Sequence, residues 1–218
     1  MKIFIIGIAG ETGFRLARIL RNAGDDVGGL YRRPEQANTL TGIGATGTMG
    51  DLVRMSISEL ADAMRGSDAI VFSAGAGEAD NDALTEAVDG DGVSKAIAAA
   101  ELAGIKRFLL VSVFPEAWRD RQMDKGFEHY IAVKKRADIA LSRSDLEWVI
   151  LRPSALRNER GTGTVSLGLA NVHTEVRRDD VAATLAELIR SPAVSRKILE
   201  LTEGDVPIPK AVAAVASA

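Results

Sequence analysis

A chain of 218 residues with 46% hydrophobic and 26% charged residues has the composition of a single globular domain, which excludes disordered and collagen-like classes. Its net charge of −3 gives no reason to expect nucleic acid or an anionic membrane as a partner. With no cysteine and only two histidines, no metal site, disulfide or cysteine nucleophile is predicted. The apolar run at the start stops at glycines, so no secretory signal or membrane span is expected, and a cytoplasmic protein is predicted.

Strand and helix patterns alternate along the chain. They predict strands at 3–6, 26–31, 45–49, 68–73, 107–113 and 147–151, with helices between them at 11–22, 34–39, 56–64, 82–103 and 127–144. After these, a strand is predicted at 172–176, a helix at 179–189 and a strand at 197–202. Short connections indicate a Rossmann-like, doubly wound α/β fold whose sheet is mostly parallel. A single domain over 1–218 is predicted, with a cofactor core at 1–152 and a small substrate-side cap at 153–218.

Three glycines follow the first strand, in the spacing G-x-x-G-x-x-G, ahead of an amphipathic helix. In such a fold this first turn is where a dinucleotide pyrophosphate binds. We expect Gly7 to allow a sharp turn, Gly10 to let backbone approach the phosphates, and Gly13 to let the helix pack closely. Glu11 and Thr12, whose N–H groups begin the helix, belong to the same predicted site. The alternative is a βα turn with a purely structural role.

Two arginines, Arg32 and Arg33, follow the second strand. An NAD site places an acid at this position for the ribose 2′-hydroxyl, whereas two guanidiniums suit a 2′-phosphate. Asp25 and Asp26 lie at the opposite end of the strand, and Glu35 lies beyond the turn. The pattern therefore favours NADP over NAD, with a solvated surface pair as the alternative.

Further cofactor contacts are predicted where other strands end, because open α/β sheets bind ligands at the carboxyl ends of their strands. Residues after the third strand are placed to flank the adenine, small residues after the fourth let backbone approach the cofactor, and residues after the sixth border the nicotinamide. In that order they are Asp51 and Leu52; Ser73, Ala74, Gly75 and Ala76; and Arg152, Pro153, Ser154 and Leu156.

Seven segments together resemble one family over essentially the whole chain: GIAGETG, RRP, VFSAGAG, RFLLVSV, HYIAVKKRAD, WVILRPSAL and RRDDVAATLAELI. The sequence is similar to the atypical short-chain dehydrogenase/reductases, specifically the compact NAD(P)-binding, NmrA-like members often labelled epimerase/dehydratase. The resemblance implies NADP in the glycine turn and an active site of Ser, Tyr-x-x-x-Lys and Asn. Ser112, Tyr130 and Lys134 match these positions, and Asp89 stands in place of the asparagine.

The matched residues suggest a chemistry for a small-molecule substrate. Tyr130 and Lys134 lie one helical turn apart, and Ser112 ends a strand at the ligand-binding edge. In carbonyl reduction the tyrosine would donate a proton, the lysine would lower the pKa of the tyrosine and reach the cofactor ribose, and the serine would hold the substrate oxygen. A solvated helix turn is the alternative, and Asp89 is either catalytic or a residue that positions water or backbone.

Three functions therefore remain open. The first is an NADPH-dependent reductase of a small carbonyl compound that uses Tyr130, the second a flavin or quinone reductase in which Tyr130 is incidental, and the third a non-catalytic NADP sensor. The loop that carries Phe114, Pro115 and Trp118 is either a substrate cover or a packed surface loop, and His173 is predicted as a strand residue. The sequence leaves the oligomeric state undecided.

Overall fold

The computed structural model of the protein describes residues 1–77, 81–116 and 123–217. Its strands are β1 (Lys2–Ile6), β2 (Asp26–Tyr31), β3 (Thr46–Met49), β4 (Ala69–Phe72), β5 (Arg107–Val111), β6 (Glu147–Pro153), β7 (Ala155–Arg157), β8 (Thr164–Gly168), β9 (Glu175–Arg177), β10 (Lys197–Glu203) and β11 (Val206–Pro207). Its α-helices are α1 (Glu11–Asn22), α2 (Gln36–Gly42), α3 (Ile57–Met64), α4 (Asp82–Thr85), α5 (Gly92–Leu102), α6 (Lys125–Ser142), α7 (Arg178–Ile189) and α8 (Ile208–Ser217). Trp118 of the predicted substrate loop lies outside the described residues.

Nine of these strands form one sheet, in the order β11-β8-β10-β6-β5-β4-β1-β2-β3. The pairs from β10 through β3 are all parallel, and β8 runs antiparallel to both β10 and β11. A short parallel ladder joins β7 to β9. The predicted Rossmann-like, mostly parallel α/β fold is confirmed.

Helices cover both faces of the sheet, and this explains why the apolar run of β1 is continuous. Ile3 and Ile5 belong to the core on one face, with residues of α1, α7 and α8. Phe4 and Ile6 belong to the core on the other face, with residues of α3, α5 and α6. A central parallel strand buries both of its sides, so apolar residues are required at consecutive positions rather than alternate ones.

The helix predicted at 82–103 is continuous but not uniform. Between α4 and α5 lies one π-helical segment, Glu86–Asp91, in which backbone N–H groups reach back five residues instead of four. Such segments inside α-helices are frequent at functional sites. This one carries Asp89, whose side chain is buried.

Residues 153–218, predicted as a small substrate-side cap, contribute both to the main sheet and to a short ladder outside it. Their strands β8, β10 and β11 extend the main sheet, and α7 and α8 join the core on the α1 face. The β7–β9 ladder is the part of this region that stands outside the main sheet. The strand predicted at 172–176 is displaced to β9, so His173 lies in the preceding connection instead of in a strand.

Candidate functional site

The glycine turn after β1 packs directly against the end of β4. Gly7 has a φ of +92°, and a Cβ there would lie 2.6 Å from the backbone nitrogen of Ala74. A Cβ at Gly13 would lie 2.2 Å from the carbonyl oxygen of Gly7. This oxygen closes the turn by accepting a hydrogen bond from the backbone N–H of Gly10. A Cβ at Gly10 would meet only that same oxygen, at 3.2 Å. Gly7 and Gly13 are thus required by packing, while Gly10 leaves its outward side open to a ligand.

An open cavity of about 340 Å³ lies in front of this turn, at the carboxyl ends of β1 to β4. We call it the edge cavity. It is lined by ten of the residues proposed for cofactor binding: Gly7, Gly10, Arg32, Arg33, Asp51, Leu52, Ser73, Ala74, Gly75 and Ala76. The sequence analysis did not single out these further lining residues: Ile6, Ala9, Leu30, Tyr31, Gln36, Gly50, Gly77, Leu84 and Val88. Several of them are sequence neighbours of the predicted residues at strand ends, and this neighbourhood is the signal by which they could have been predicted.

Other proposed cofactor residues lie outside the edge cavity: Glu11, Thr12, Gly13, Lys134, Pro153 and Ser154. Glu11 is exposed, and the hydrogen bond and charge of Arg15 lower the pKa of its carboxyl. Arg15 also pairs with Asp179, at 2.9 Å, which ties α1 to α7. The buried Ser154 hydroxyl accepts a hydrogen bond from the backbone N–H of Thr174, so it serves the β7–β9 region instead of the cavity.

The arginine end of the edge cavity is organised by Gln36. Its Oε1 accepts hydrogen bonds from the backbone N–H of Arg32, at 3.1 Å, and of Arg33, at 2.9 Å. The guanidinium of Arg33 pairs with Glu35 through a 2.9 Å contact. Within the described part of the chain, the Arg32 guanidinium has no acidic partner.

A lysine from α5 holds the segment of the cavity wall that follows β3. Lys95 Nζ donates hydrogen bonds to the carbonyl oxygens of Leu52, Val53 and Met55, at 2.8, 2.9 and 2.7 Å. The Asp51 carboxylate accepts from the N–H of Val53, at 2.9 Å. The segment predicted to flank an adenine is therefore fixed before any ligand binds.

Beside the edge cavity lies a set of polar side chains that we call the polar cluster: Asp89, Ser112, Tyr130, Lys134, Asp138 and Arg152. Lys134 and Asp89 are 3% and 2% exposed. Lys134 Nζ lies 3.4 Å from Asp89 Oδ1 and donates to the carbonyl oxygen of Val111, at 3.0 Å. Asp89 Oδ2 accepts from the backbone N–H of Ala76, at 2.9 Å. Because Ala76 lines the edge cavity, this bond joins the two parts of the site.

The pKa of Tyr130 corrects one expectation. The Lys134 ammonium does lower it, but burial has the larger effect, and the charges of Asp89 and Asp138 also raise it. The net result is a Tyr130 pKa above its ordinary value of 10.0. The expectation that Lys134 brings the pKa of Tyr130 toward neutrality is wrong, because burial outweighs the ammonium and the charges of Asp89 and a second carboxyl, Asp138, oppose it as well.

That second carboxyl, Asp138, was missed by the sequence analysis. It accepts from Arg152 Nε and Nη2, at 3.0 and 2.9 Å. Burial raises the pKa of Asp138, while the Ser112 hydroxyl and the Arg152 guanidinium act in the opposite direction. The Ser112 Oγ is buried and makes no hydrogen bond of normal geometry within the described residues. A signal was present in the sequence, since Tyr130, Lys134 and Asp138 follow one another at intervals of four on α6.

The loop after β5 packs against the connection before β9. Phe114 is buried, and its ring meets the His173 ring edge-on, with centroids 5.1 Å apart. Of the two interpretations of this loop, the packed one describes Phe114. Among the described residues, no cluster of acids and histidines could hold a metal ion, and no helix has the length and apolarity needed to cross a membrane.

The geometry suits a dinucleotide: side-chain-free turns at Gly7 and Gly13, an open surface at Gly10, and cations at one end of the cavity. The sequence profile of the NAD(P)H-binding family matches residues 7–192. The uncharacterized sugar epimerase YhfK of Bacillus subtilis is 38% identical over 213 residues, which cover 97% of this chain and 99% of the relative.

Solved structures agree with this match. A Bacillus halodurans protein, named as a candidate NAD-dependent epimerase/dehydratase, is similar with a TM-score of 0.89 and 33% identity, covering 98% of this chain and 99% of the other. ChuY, an anaerobilin reductase of Escherichia coli O157:H7, is similar with a TM-score of 0.80 and 26% identity, covering 94% and 98%. The chain belongs to the NAD(P)H-binding family, among the atypical short-chain dehydrogenase/reductases.

Proposed function

We propose that this protein is an NADPH-dependent reductase of a small carbonyl compound, with Tyr130 as the proton donor. The observation that carries the proposal is the hydrogen bond from Ala76, on the wall of the edge cavity, to Asp89 of the polar cluster. In the sheet order β5-β4-β1-β2-β3, the polar cluster adjoins β4 and β5 on one side of the glycine turn. The arginines lie on the other side, after β2. A dinucleotide held at Gly10 would thus have the arginines at its adenosine end and the cluster at its nicotinamide end.

The polar cluster supports proton donation to a substrate oxygen. When bound, a reduced nicotinamide supplies a hydride for the carbonyl carbon. The Tyr130 hydroxyl is protonated at neutral pH and holds the proton that the oxygen needs, and its raised pKa makes it a weaker acid than an ordinary tyrosine. The Ser112 hydroxyl interacts with Asp138 but makes no hydrogen bond of normal geometry within the described residues, and in this proposal it holds the same oxygen. The same raised pKa disfavours the reverse reaction, in which a tyrosinate would have to act as the base.

Arg32 supports the choice of NADPH over NADH. Its guanidinium lines the edge cavity with no acidic partner among the described residues, whereas Arg33 is shared with Glu35. A charge-assisted contact to a 2′-phosphate should give at least about a tenfold preference for NADPH. Calorimetry with both cofactors measures it, and Arg32→Ala should reduce it. Equal affinities in the unchanged protein would contradict the NADP assignment.

The test of the chemistry is an NADPH-oxidation screen over aldehydes, ketones, quinones and flavins, followed by Tyr130→Phe. Loss of a general acid typically costs about 10²–10⁴ in rate, so turnover of a carbonyl substrate should fall in that range while NADPH affinity is kept. Ser142→Ala removes a hydroxyl from the exposed end of the same helix and serves as the matched control. Tyr130→Phe that reduces the best carbonyl substrate at the unchanged rate would contradict the role of the tyrosine.

A second candidate is a reductase of flavins or quinones that needs no tyrosine acid. The pairing of Lys134 with Asp89 favours it, because the ammonium is not committed to activating Tyr130. Similarity to the anaerobilin reductase ChuY supports the same class. Turnover that survives Tyr130→Phe selects this candidate, and NADPH binding without turnover of any substrate class selects the sensor.

A further inference from the structure

The carboxamide of Gln36 has a fixed orientation at the arginine end of the edge cavity. Its Oε1 accepts from two consecutive backbone N–H groups, those of Arg32 and Arg33. Backbone N–H groups can only donate, so the oxygen of the carboxamide must face them and the NH₂ group must point away. Within the described residues this NH₂ group makes no hydrogen bond, and Gln36 lines the edge cavity. Two N–H donors therefore remain for a ligand.

The surroundings of Gln36 favour a ligand group that only accepts hydrogen bonds. The neighbouring Arg32 guanidinium also offers donors alone, and the carboxylate of Glu35, the residue before Gln36, is held by Arg33. A ribose 2′-phosphate is a dianion with acceptor oxygens, whereas a ribose 2′-hydroxyl is best recognised by an acceptor such as a carboxylate. The acceptor atom of Gln36 is already used by the backbone.

We propose that Gln36 is a specificity-determining residue, which presents its NH₂ group to the ribose 2′-phosphate and disfavours the bare 2′-hydroxyl. This inference rests on the proposed function, in which the ligand is NADPH. Arg32 would favour NADPH over NADH through its charge. Gln36 is neutral and would favour NADPH through the placement of its hydrogen-bond donors and acceptor.

Gln36→Glu tests this with almost no change of shape. One carboxylate oxygen can keep both backbone hydrogen bonds, and the other replaces the NH₂ group with a charged acceptor. Since like charges placed together cost several kcal/mol and 1.4 kcal/mol is tenfold in affinity, the Kd for NADP⁺ should rise at least about tenfold. The Kd for NAD⁺ should stay within about threefold or fall, because the new acceptor can bind the 2′-hydroxyl. Calorimetric titration with NADP⁺ alone and with NAD⁺ alone measures the two Kd values, and neither measurement needs turnover.

Asn38→Asp is the matched control. It makes the same amide-to-carboxylate change two residues along the same helix, at an exposed position that does not line the edge cavity. Loss of NADP⁺ affinity in Gln36→Glu but not in Asn38→Asp supports the inference. Equal loss in both variants would overturn it, because a general effect of charge would then suffice, and so would parallel weakening of NADP⁺ and NAD⁺ in Gln36→Glu.

The failures of the two proposals are distinguishable. If the unchanged protein binds NADP⁺ and NAD⁺ equally, the proposed cofactor is wrong. If it prefers NADP⁺ and Gln36→Glu keeps that preference, only the role of Gln36 is wrong. Should Gln36→Glu fail to fold, Gln36→Met decides: removing the donors should reduce the NADP⁺ preference by about threefold or more, and an unchanged preference overturns the inference.

Discussion

The edge cavity and the polar cluster, the two parts of the candidate site, are made of different types of residue. The edge cavity is lined mostly by glycines and by small and apolar residues, and its two arginines are exposed. The polar cluster is made of charged side chains taken out of water: Asp89, Lys134 and Asp138 are each at most 4% exposed. A backbone turn depends on a few neighbouring residues, whereas each buried charge depends on a counter-charge from a distant part of the chain. The first should therefore fail through steric clashes, and the second through unpaired charge.

The largest effect that separates the two parts is expected at Lys134. Lys134→Met removes the ammonium and leaves the Asp89 carboxylate buried beside it without a counter-charge. Breaking a buried ion pair in this way costs about 3–5 kcal/mol, which urea denaturation at neutral pH measures. The double variant Lys134→Met/Asp89→Asn should recover part of the loss, because no buried charge is left over. A loss below about 1 kcal/mol in the single variant would show that the cluster tolerates an unpaired charge.

A smaller effect is expected in the glycine turn, where two glycines three residues apart should respond differently. Gly13→Ala would force a Cβ to within 2.2 Å of the Gly7 carbonyl oxygen, so overpacking should lower the free energy of unfolding by about 1–3 kcal/mol. Gly10→Ala meets that oxygen at 3.2 Å, and its cost should stay below about 1 kcal/mol. Denaturation of the two variants side by side is the measurement. Equal stabilities would mean that the turn relaxes freely.

The smallest effect is a pH dependence at Asp138. Burial raises its folded pKa above the ordinary value of 3.8, so between the unfolded and folded pKa values the folded state binds more protons. Stability contributed by this group is therefore present at low pH and is lost as the pH rises through that window. Asp138→Asn removes the titration, so the stability of the variant relative to the parent should increase with pH. The increase is about 1.4 kcal/mol for each pH unit between the two pKa values.

Unfolding free energies of the parent and of Asp138→Asn, taken from about pH 4 to pH 7, provide the check. A difference that is constant over this range would show that Ser112 and Arg152 cancel the effect of burial on the pKa of Asp138, and a change in the opposite direction would show that they outweigh it.

The same contrast explains what could be predicted from the sequence. The continuous apolar run of β1 and the glycines after it are local signals, and both give the observed strand and turn. The pKa of Tyr130 is not local: its sign depends on Asp89 and Asp138, and only folding brings Asp89 to α6. The short strands β7 and β11 have two or three residues each, too few to show a period.

The π-helical segment Glu86–Asp91 affects how this chain is matched to its relatives. The hydrogen bonds of this segment span one residue more than those of an α-helix. The helix that runs from α4 to α5 therefore contains one more residue than an uninterrupted α-helix between the same two ends would need. Deleting that residue would turn one half of the helix by about 100° relative to the other, taking either Asp89 from Lys134 or the Ala-rich face of α5 from the core. An alignment with a relative that has an uninterrupted helix therefore needs a one-residue gap at 86–91. Without that gap, the position of Asp89 would be assigned to the wrong residue of the relative.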